Sequence, residues 1–277
     1  VFGLNYGWEH PLYFDKNCSE SSGFTRQNWW HSVGREVKML RSNVGVIDIS
    51  NFAKYTCKGP GAENWLESVF ANNMPKKIGQ SCLTPLISNY GGVAGDATIT
   101  RISEEEFWIV SSGASERYQK RFFNSVKLPE NTIFLSQTDE FCGFNIAGPK
   151  SREILQRLSN QDLSNKNWPF MRSGILSIAG VSCLALRISF TGDLGWEIYC
   201  DTDKQKTVYK SLLQEAMNEK GGPVGSRALM SLRIEKGYGS WSREYSPEIW
   251  PHECGLDTLC KLDKDFLNRQ PLIDNLK

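Results

Sequence analysis

Residues 187–200 read RISFTGDLGWEIYC. Arg187-Ile188-Ser189-Phe190 has the pattern of a strand, Thr191-Gly192-Asp193-Leu194-Gly195 that of a tight turn, and Trp196-Glu197-Ile198-Tyr199-Cys200 that of a second strand. The second strand is aromatic or β-branched at three of five positions, which suits a half-buried pleated surface. Glu197 interrupts it. A carboxylate between Trp196 and Ile198 needs a reason, because burying an unpaired charge is costly.

Outward from this hairpin, the same arrangement occurs twice. GVSCLALRISFTGDLGWEIYC (180–200) and the helical DKQKTVYKSLLQEAMNEK (203–220) have an earlier counterpart. There a strand ends near Ser88, Asn89-Tyr90-Gly91-Gly92 turns, DATITRI (96–102) and EFWIVSS (106–112) are strands, and a helix capped by Ser115 runs to about Val126. Gly92-Val93 and Gly180-Val181 are 88 residues apart, as are Trp108 and Trp196, which sets Ile109 where the second copy has Glu197. The architecture alone therefore does not demand the carboxylate. The fold expected is α+β: two related lobes, each an antiparallel sheet with helices on one face. VGVIDIS (44–50) and AKYTCKG (53–59) read as strands, and ENWLESVFAN (63–72) as a helix with Trp65, Leu66, Val69 and Phe70 on one face. SRALMSLRIEKG (226–237) is a helix apolar almost all round, hence buried, so Arg227 and Arg233 need partners. Residues 1–35, with Tyr6, Trp8, Tyr13, Phe14, Trp29 and Trp30, read as an irregular arm.

Length and composition bound the rest. With 277 residues and 40% hydrophobic content the chain can bury a large core as one domain or two. A net charge of +1 argues against a nucleic-acid or membrane-surface binder. The eight cysteines form no CxxC pair and no disulfide or zinc spacing, so they read as reduced, mostly buried thiols. Three histidines, none grouped with acids or cysteines, give no metal centre. No segment is long and apolar enough to span a membrane, and no signal peptide is visible. The glycine-bearing GPGAEN and GGPVGSR lack both the phosphate-loop lysine and a dinucleotide fingerprint, so no flavin or nicotinamide site is expected. Val1 in place of Met is read as a mark of a processed or partial chain.

Three charged residues could carry chemistry, and two readings of each stay open. Glu197 is either half of a core ion pair or a pocket carboxylate accepting two parallel N–H donors from a guanidine-like ligand edge. Asp96, after the glycines of NYGGVAG, either caps a turn or faces a ligand nitrogen as base or charge stabiliser, with the glycines letting a flat ligand approach. Arg233 either pairs with Glu235, Glu253 or another acid, or clamps an anion.

GVIDISNFAKYTCKGPGAENWLESVFANN, NYGGVAGDATITRI, FNIAGPKSREILQRLS, SFTGDLGWEIY, ALMSLRIEKGYGSW and PHECGL together resemble, in order, the folate-binding domain of the glycine cleavage T-protein superfamily. The likeness is greatest to the carboxyl-terminal half of dimethylglycine and sarcosine dehydrogenases. The resemblance implies one folate-binding domain over 1–277, with interleaved lobes at about 55–140 and 141–245. Residues 246–277 would begin a C-terminal barrel that is largely absent. It implies tetrahydrofolate as cofactor and aminomethyltransferase-type transfer from an amine, giving 5,10-methylenetetrahydrofolate. Glu197 would hold the pterin N3–H and 2-amino group, and Asp96 would be catalytic near N5 and N10. Arg233, Tyr90, Gly92, Trp196, Tyr238 and Trp241 would contribute to folate binding. The implied partners are the amine donor and a flavin dehydrogenase domain or lipoyl carrier protein, in the cytoplasm or, in a eukaryote, the mitochondrial matrix. Against the family pattern, Gly95 replaces the first of an acidic pair and Phe190 replaces a tyrosine. A non-catalytic regulatory module and a folate-dependent demethylase are the alternatives. Joint retention of Asp96, Glu197 and Arg233 weighs against the first, and Asp96 against the second.

Overall fold

The structure is a computed structural model that describes residues 1–276 other than 6, 7, 18, 19 and 22, so Tyr6 and Cys18 lie outside the described residues. Residues 1–51 hold β1 (Phe2–Asn5), β2 (Trp8–Pro11), α1 (Trp30–Ser42) and β3 (Gly45–Asp48). Residues 52–139 hold β4 (Ala53–Lys58), α2 (Ala62–Val69), β5 (Ser81–Ile87), β6 (Val93–Ser103), β7 (Glu106–Ser111), α3 (Glu116–Asn124) and β8 (Ile133–Ser136). Residues 140–238 hold β9 (Phe141–Ala147), α4 (Ser151–Ser159), β10 (Ser173–Ile178), β11 (Val181–Leu186), β12 (Gly195–Asp201), α5 (Gln205–Asn218), β13 (Gly222–Pro223) and α6 (Ser226–Glu235). The short α7 (Arg269–Asp274) follows a stretch of turns.

Two units result. One comprises residues 1–51 and 140–238, the other 52–139 and 239–277. Among the described residues the first unit carries the sheet β10-β11-β12-β9-β3-β13 and the second the sheet β5-β6-β7-β4-β8. The weak sequence repeat is a repeat of topology. β4-α2-β5-β6-β7-α3 and β9-α4-β10-β11-β12-α5 run in the same order, and the strand orders β5-β6-β7-β4 and β10-β11-β12-β9 match.

The alignment of the two copies at 88 residues is one residue out of step. β4 ends by pairing Lys58 with Glu106, and β9 ends by pairing Ala147 with Gly195. This register sets Trp108, not Ile109, in the place of Glu197. Burial agrees: Ile109 packs with Trp65, Leu66 and Val69 of α2, as Ile198 packs with Ile154, Leu155, Val208 and Leu212 of α4 and α5. A one-residue shift along a strand exchanges its two faces.

The amino-terminal segment is more ordered than an arm. β1 and β2 form an antiparallel hairpin, and α1 is a 13-residue helix whose buried side includes Val33, Leu40 and Glu36. Glu36 is 5% exposed and accepts the Phe14 N–H at 2.6 Å and the Gly225 N–H at 2.8 Å. Arg227 finds its partners within the same unit: Glu20 at 2.5 Å and the ring of Trp29. Ser115 does not cap α3 through its side chain; its hydroxyl donates back to Ser112 O at 2.7 Å.

Gly92 differs in role from the one expected. A Cβ there would lie 2.0 Å from Pro247 O, while the next N–H, that of Val93, donates to Ile249 O at 2.8 Å. The glycine admits the chain's own backbone, not a flat ligand. Gly92→Ala should therefore lower stability by about 1–3 kcal/mol, the usual cost of overpacking. A urea midpoint that does not move would free Gly92 for the ligand-facing role.

Candidate functional site

The candidate site is built on the central strand β12. Its residues alternate across the sheet, so Trp196, Ile198 and Cys200 enter the core beneath α4 and α5, and Glu197 and Tyr199 take the other face. Both pairings hold Glu197 deep in the sheet, opposite Asn145 of β9 and Leu186 of β11. Glu197 is 5% exposed, and Tyr199 donates its hydroxyl proton to Glu197 Oε2 at 2.6 Å. The Tyr199 ring lies over Gly143, where any Cβ would stand 2.8 Å from it.

No cation pairs with Glu197 among the described residues, which removes the core ion-pair reading. Burial raises its carboxyl from the ordinary 4.5 to about 7, against a smaller lowering by the Tyr199 hydroxyl. A buried acid whose charge is supported by one neutral hydroxyl suits a ligand that supplies N–H donors of its own.

Trp196, expected at the ligand, is fully buried on the helix side of the sheet, with the guanidinium groups of Arg152 and Arg187 near its ring, at 5.6 and 5.8 Å from the centroid. It belongs to the core, because adjacent strand residues point to opposite faces. Arg233, on α6, is 3% exposed and donates from Nη1 to Tyr238 O at 2.9 Å. Glu235, offered on sequence as a partner for it, pairs with Arg41. The Tyr238 ring is 43% exposed and stacks on Phe190 with centroids 6.3 Å apart. Within the first unit the structure thus provides Glu197 with Tyr199, and Arg233 with Tyr238.

In the second unit Asp96 lies within β6, opposite Pro85, and does not open the strand as expected. Its main-chain oxygen accepts the Ser111 hydroxyl at 2.5 Å. Among the described residues its carboxyl has no cation partner, and burial raises it from 3.8 to about 6, opposed by its own N–H. Tyr245 and Cys254 feel its charge, so it faces the 239–277 segment of its own unit. Trp241 packs on Tyr118 at 5.3 Å between centroids. Tyr90 is 72% exposed, and its main-chain oxygen accepts from Asn275 at 3.0 Å. Sequence reading missed Tyr199 and Asn145. The signal for the first was the two-residue spacing from Glu197, which puts both on one face.

The fold is α+β in both units, with a buried carboxylate on the central strand of one. The chain belongs to the GCVT N-terminal domain family, whose model matches residues 1–264. It is 34% identical over 277 residues to a mitochondrial dimethylglycine dehydrogenase of Mus musculus, covering 98% of this chain and 32% of that protein. It is 29% identical over 269 residues to an aminomethyltransferase of Thermoanaerobacter sp., covering 96% and 68%. The glycine cleavage system aminomethyltransferase T from Bartonella henselae shares the fold, with a TM-score of 0.84 at 21% identity over 100% of this chain and 71% of that one. The chain spans about a third of the length of the dehydrogenase it matches. No helix of the described residues is long and apolar enough to cross a membrane.

The two raised carboxyls set a pH dependence of stability. Each holds its proton more tightly folded than unfolded, so the folded state binds more protons between the ordinary value and the raised one. Raising the pH through about 4.5 to 7 then removes stability, and Glu36 shifts in the same direction through burial. Glu197→Gln should be the more stable protein by about 3 kcal/mol at pH 8, at 1.36 kcal/mol per pKa unit, with the advantage fading toward pH 5. A variant that melts earlier at every pH would show that Glu197 holds the core together.

Proposed function

We propose that the protein binds a reduced folate through Glu197 and takes part in one-carbon transfer from an amine to that folate. The observation that carries the reading is the Glu197 carboxylate itself: buried, bonded by Tyr199, without a cation among the described residues, and placed by the motif TGDLGWE. The donor chemistry fits. The pterin amino-pyrimidine edge offers two parallel N–H donors, and a carboxylate accepts two. Membership of the family and the aminomethyltransferase relative support the same class of reaction.

Tetrahydrofolate supplies nucleophilic nitrogens that accept a carbon already made electrophilic by its bond to the amine. The protein's contribution is then chiefly positioning. Glu197 orients the pterin, and Tyr199 holds the carboxylate in place. Asp96, a cationless acid raised to about 6, is assigned the acid–base work on the reacting nitrogens. Tyr238, Arg233, Trp241 and Tyr90 are assigned to ligand contact; Trp196 and Gly92 are not. The amine donor, and a flavin-bearing segment or carrier protein that would present it, belong to the same proposal.

Calorimetric titration with folinic acid should show 1:1 binding, with quenching of the nine tryptophans as an independent readout. Affinity should increase as the pH rises through about 7, because the ionised Glu197 is the form that accepts N–H donors. Glu197→Gln should weaken binding by about 1.5–3 kcal/mol, the range for a hydrogen bond to a charged group. Absence of heat and of quenching at millimolar folinic acid would favour the regulatory reading.

Asp96→Asn separates catalysis from binding. With an added methylene donor, formation of methylenetetrahydrofolate should fall by about 10² to 10⁴, while folate affinity stays within about threefold, or 0.7 kcal/mol. Transfer unchanged in the variant would leave Asp96 a structural residue of β6.

A further inference from the structure

Three thiols that the sequence scatters over 59 positions meet in one row across the six-stranded sheet. Cys200 of β12 stands opposite Cys142 of β9. The β11–β12 pairing, continued one step beyond Leu184 and Tyr199, sets Cys183 beside Cys200. All three belong to the core beneath α4 and α5, the face away from Glu197, and none is more than 2% exposed.

The pair Cys142–Cys200 is the tight one, with Sγ atoms 3.3 Å apart. Two residues toward the strand end, the Thr202 N–H donates to Glu140 O at 3.0 Å. Antiparallel pairs alternate between hydrogen-bonded and non-bonded sites, so Cys142 and Cys200 occupy a hydrogen-bonded site, with Cα atoms about 5.5 Å apart. That lies within the roughly 4.4–6.8 Å that a disulfide spans. The sulfurs form a row and do not surround a common centre, and among the described residues no group of three or more His, Cys, Asp or Glu could hold a metal ion. The strand end is near: Phe141 is half-buried and Asp201 exposed.

We propose that Cys142 and Cys200 form an oxidative modification site, closing to a cross-strand disulfide when a small peroxide-class oxidant reaches them. One thiol attacks the peroxide oxygen, becoming a sulfenic acid and releasing water. The second thiol displaces the sulfenic oxygen as a second water, forming the S–S bond. The two thiols give up two protons and two electrons, and the peroxide is reduced to water. The sulfurs need approach by only ~1.3 Å to reach bonding distance. Their mutual contact, and then burial, push the Cys142 thiol well above its ordinary value, so closure requires the oxidant and time. Cys183 is the thiol left beside the bridge. The proposal stands on the sheet register alone and is independent of folate.

The reduced chain would be treated with millimolar hydrogen peroxide, quenched, unfolded in the presence of an alkylating agent, and mapped by peptide mass spectrometry. The expected result is the loss of two alkylatable cysteines and of about 2 Da, one for each hydrogen removed. A single linked peptide should join Cys142 to Cys200, and dithiothreitol should restore both thiols. The link should survive Cys183→Ala and vanish in Cys142→Ala, and the map of the unsubstituted chain stands by itself if a variant fails to fold. A Cys183–Cys200 link, any other pairing, oxygen adducts without a link, or full alkylation of 142 and 200 overturns the proposal.

Discussion

The pairing of β12 with β9 is the constraint on which the first unit rests. Seven register pairs, from Gly195 with Ala147 to Asp201 with Phe141, fix which side chains of the central strand meet the helices and which meet the other face. Slippage by one residue would send Glu197 into the apolar core under α4 and α5 and Trp196 out of it. The Gly143–Tyr199 contact strengthens the choice of register, because the only residue without a side chain on β9 lies where the Tyr199 ring needs room. The position of the buried carboxylate follows from that register.

Buried and half-buried acids divide here by company. Glu63, Glu67 and Glu116 sit beside Arg101, Lys264 and Lys120; burial, the largest single effect, raises their carboxyls, but the hydrogen bonds and neighbouring charges together lower them. These are acids of the scaffold. Among the described residues Glu197 and Asp96 lack such neighbours, and burial raises them. An acid that the chain leaves without a cation in a dry place adds nothing to the fold at neutral pH.

Much of this was legible in the chain. The strand periodicity of EFWIVSS and GWEIYC, the helical spacing of ENWLESVFAN and the doubled order of elements all survive in the structure, because local pattern and topology agree there. The failures share a cause. α1 was hidden because its inward stripe carries Glu36, a polar residue whose partners, Phe14 and Gly225, are distant in sequence. The phase of the repeat was off by one because two tryptophans were aligned where strand register should have been. Trp196 and Gly92 were assigned to a ligand because they flank motif residues, although one faces the core and the other its own backbone. The cysteine row needed three strands placed side by side before it could be seen at all.

The two units are threaded through one another in chain order, and this bears on the making of the protein. β3 is synthesised early, yet its partner β9 follows only after the whole segment 52–139. Likewise Val93 waits for Ile249 to accept its N–H, and the small core of Val93, Tyr245 and Leu256 closes only when the last segment is present. Neither sheet unit can be finished before the other has been largely translated. On a ribosome the nascent chain therefore passes through a stage in which β3 presents unsatisfied edges and Val93 an unpaired N–H and uncovered apolar surface, the condition under which chaperone attendance and mispairing compete.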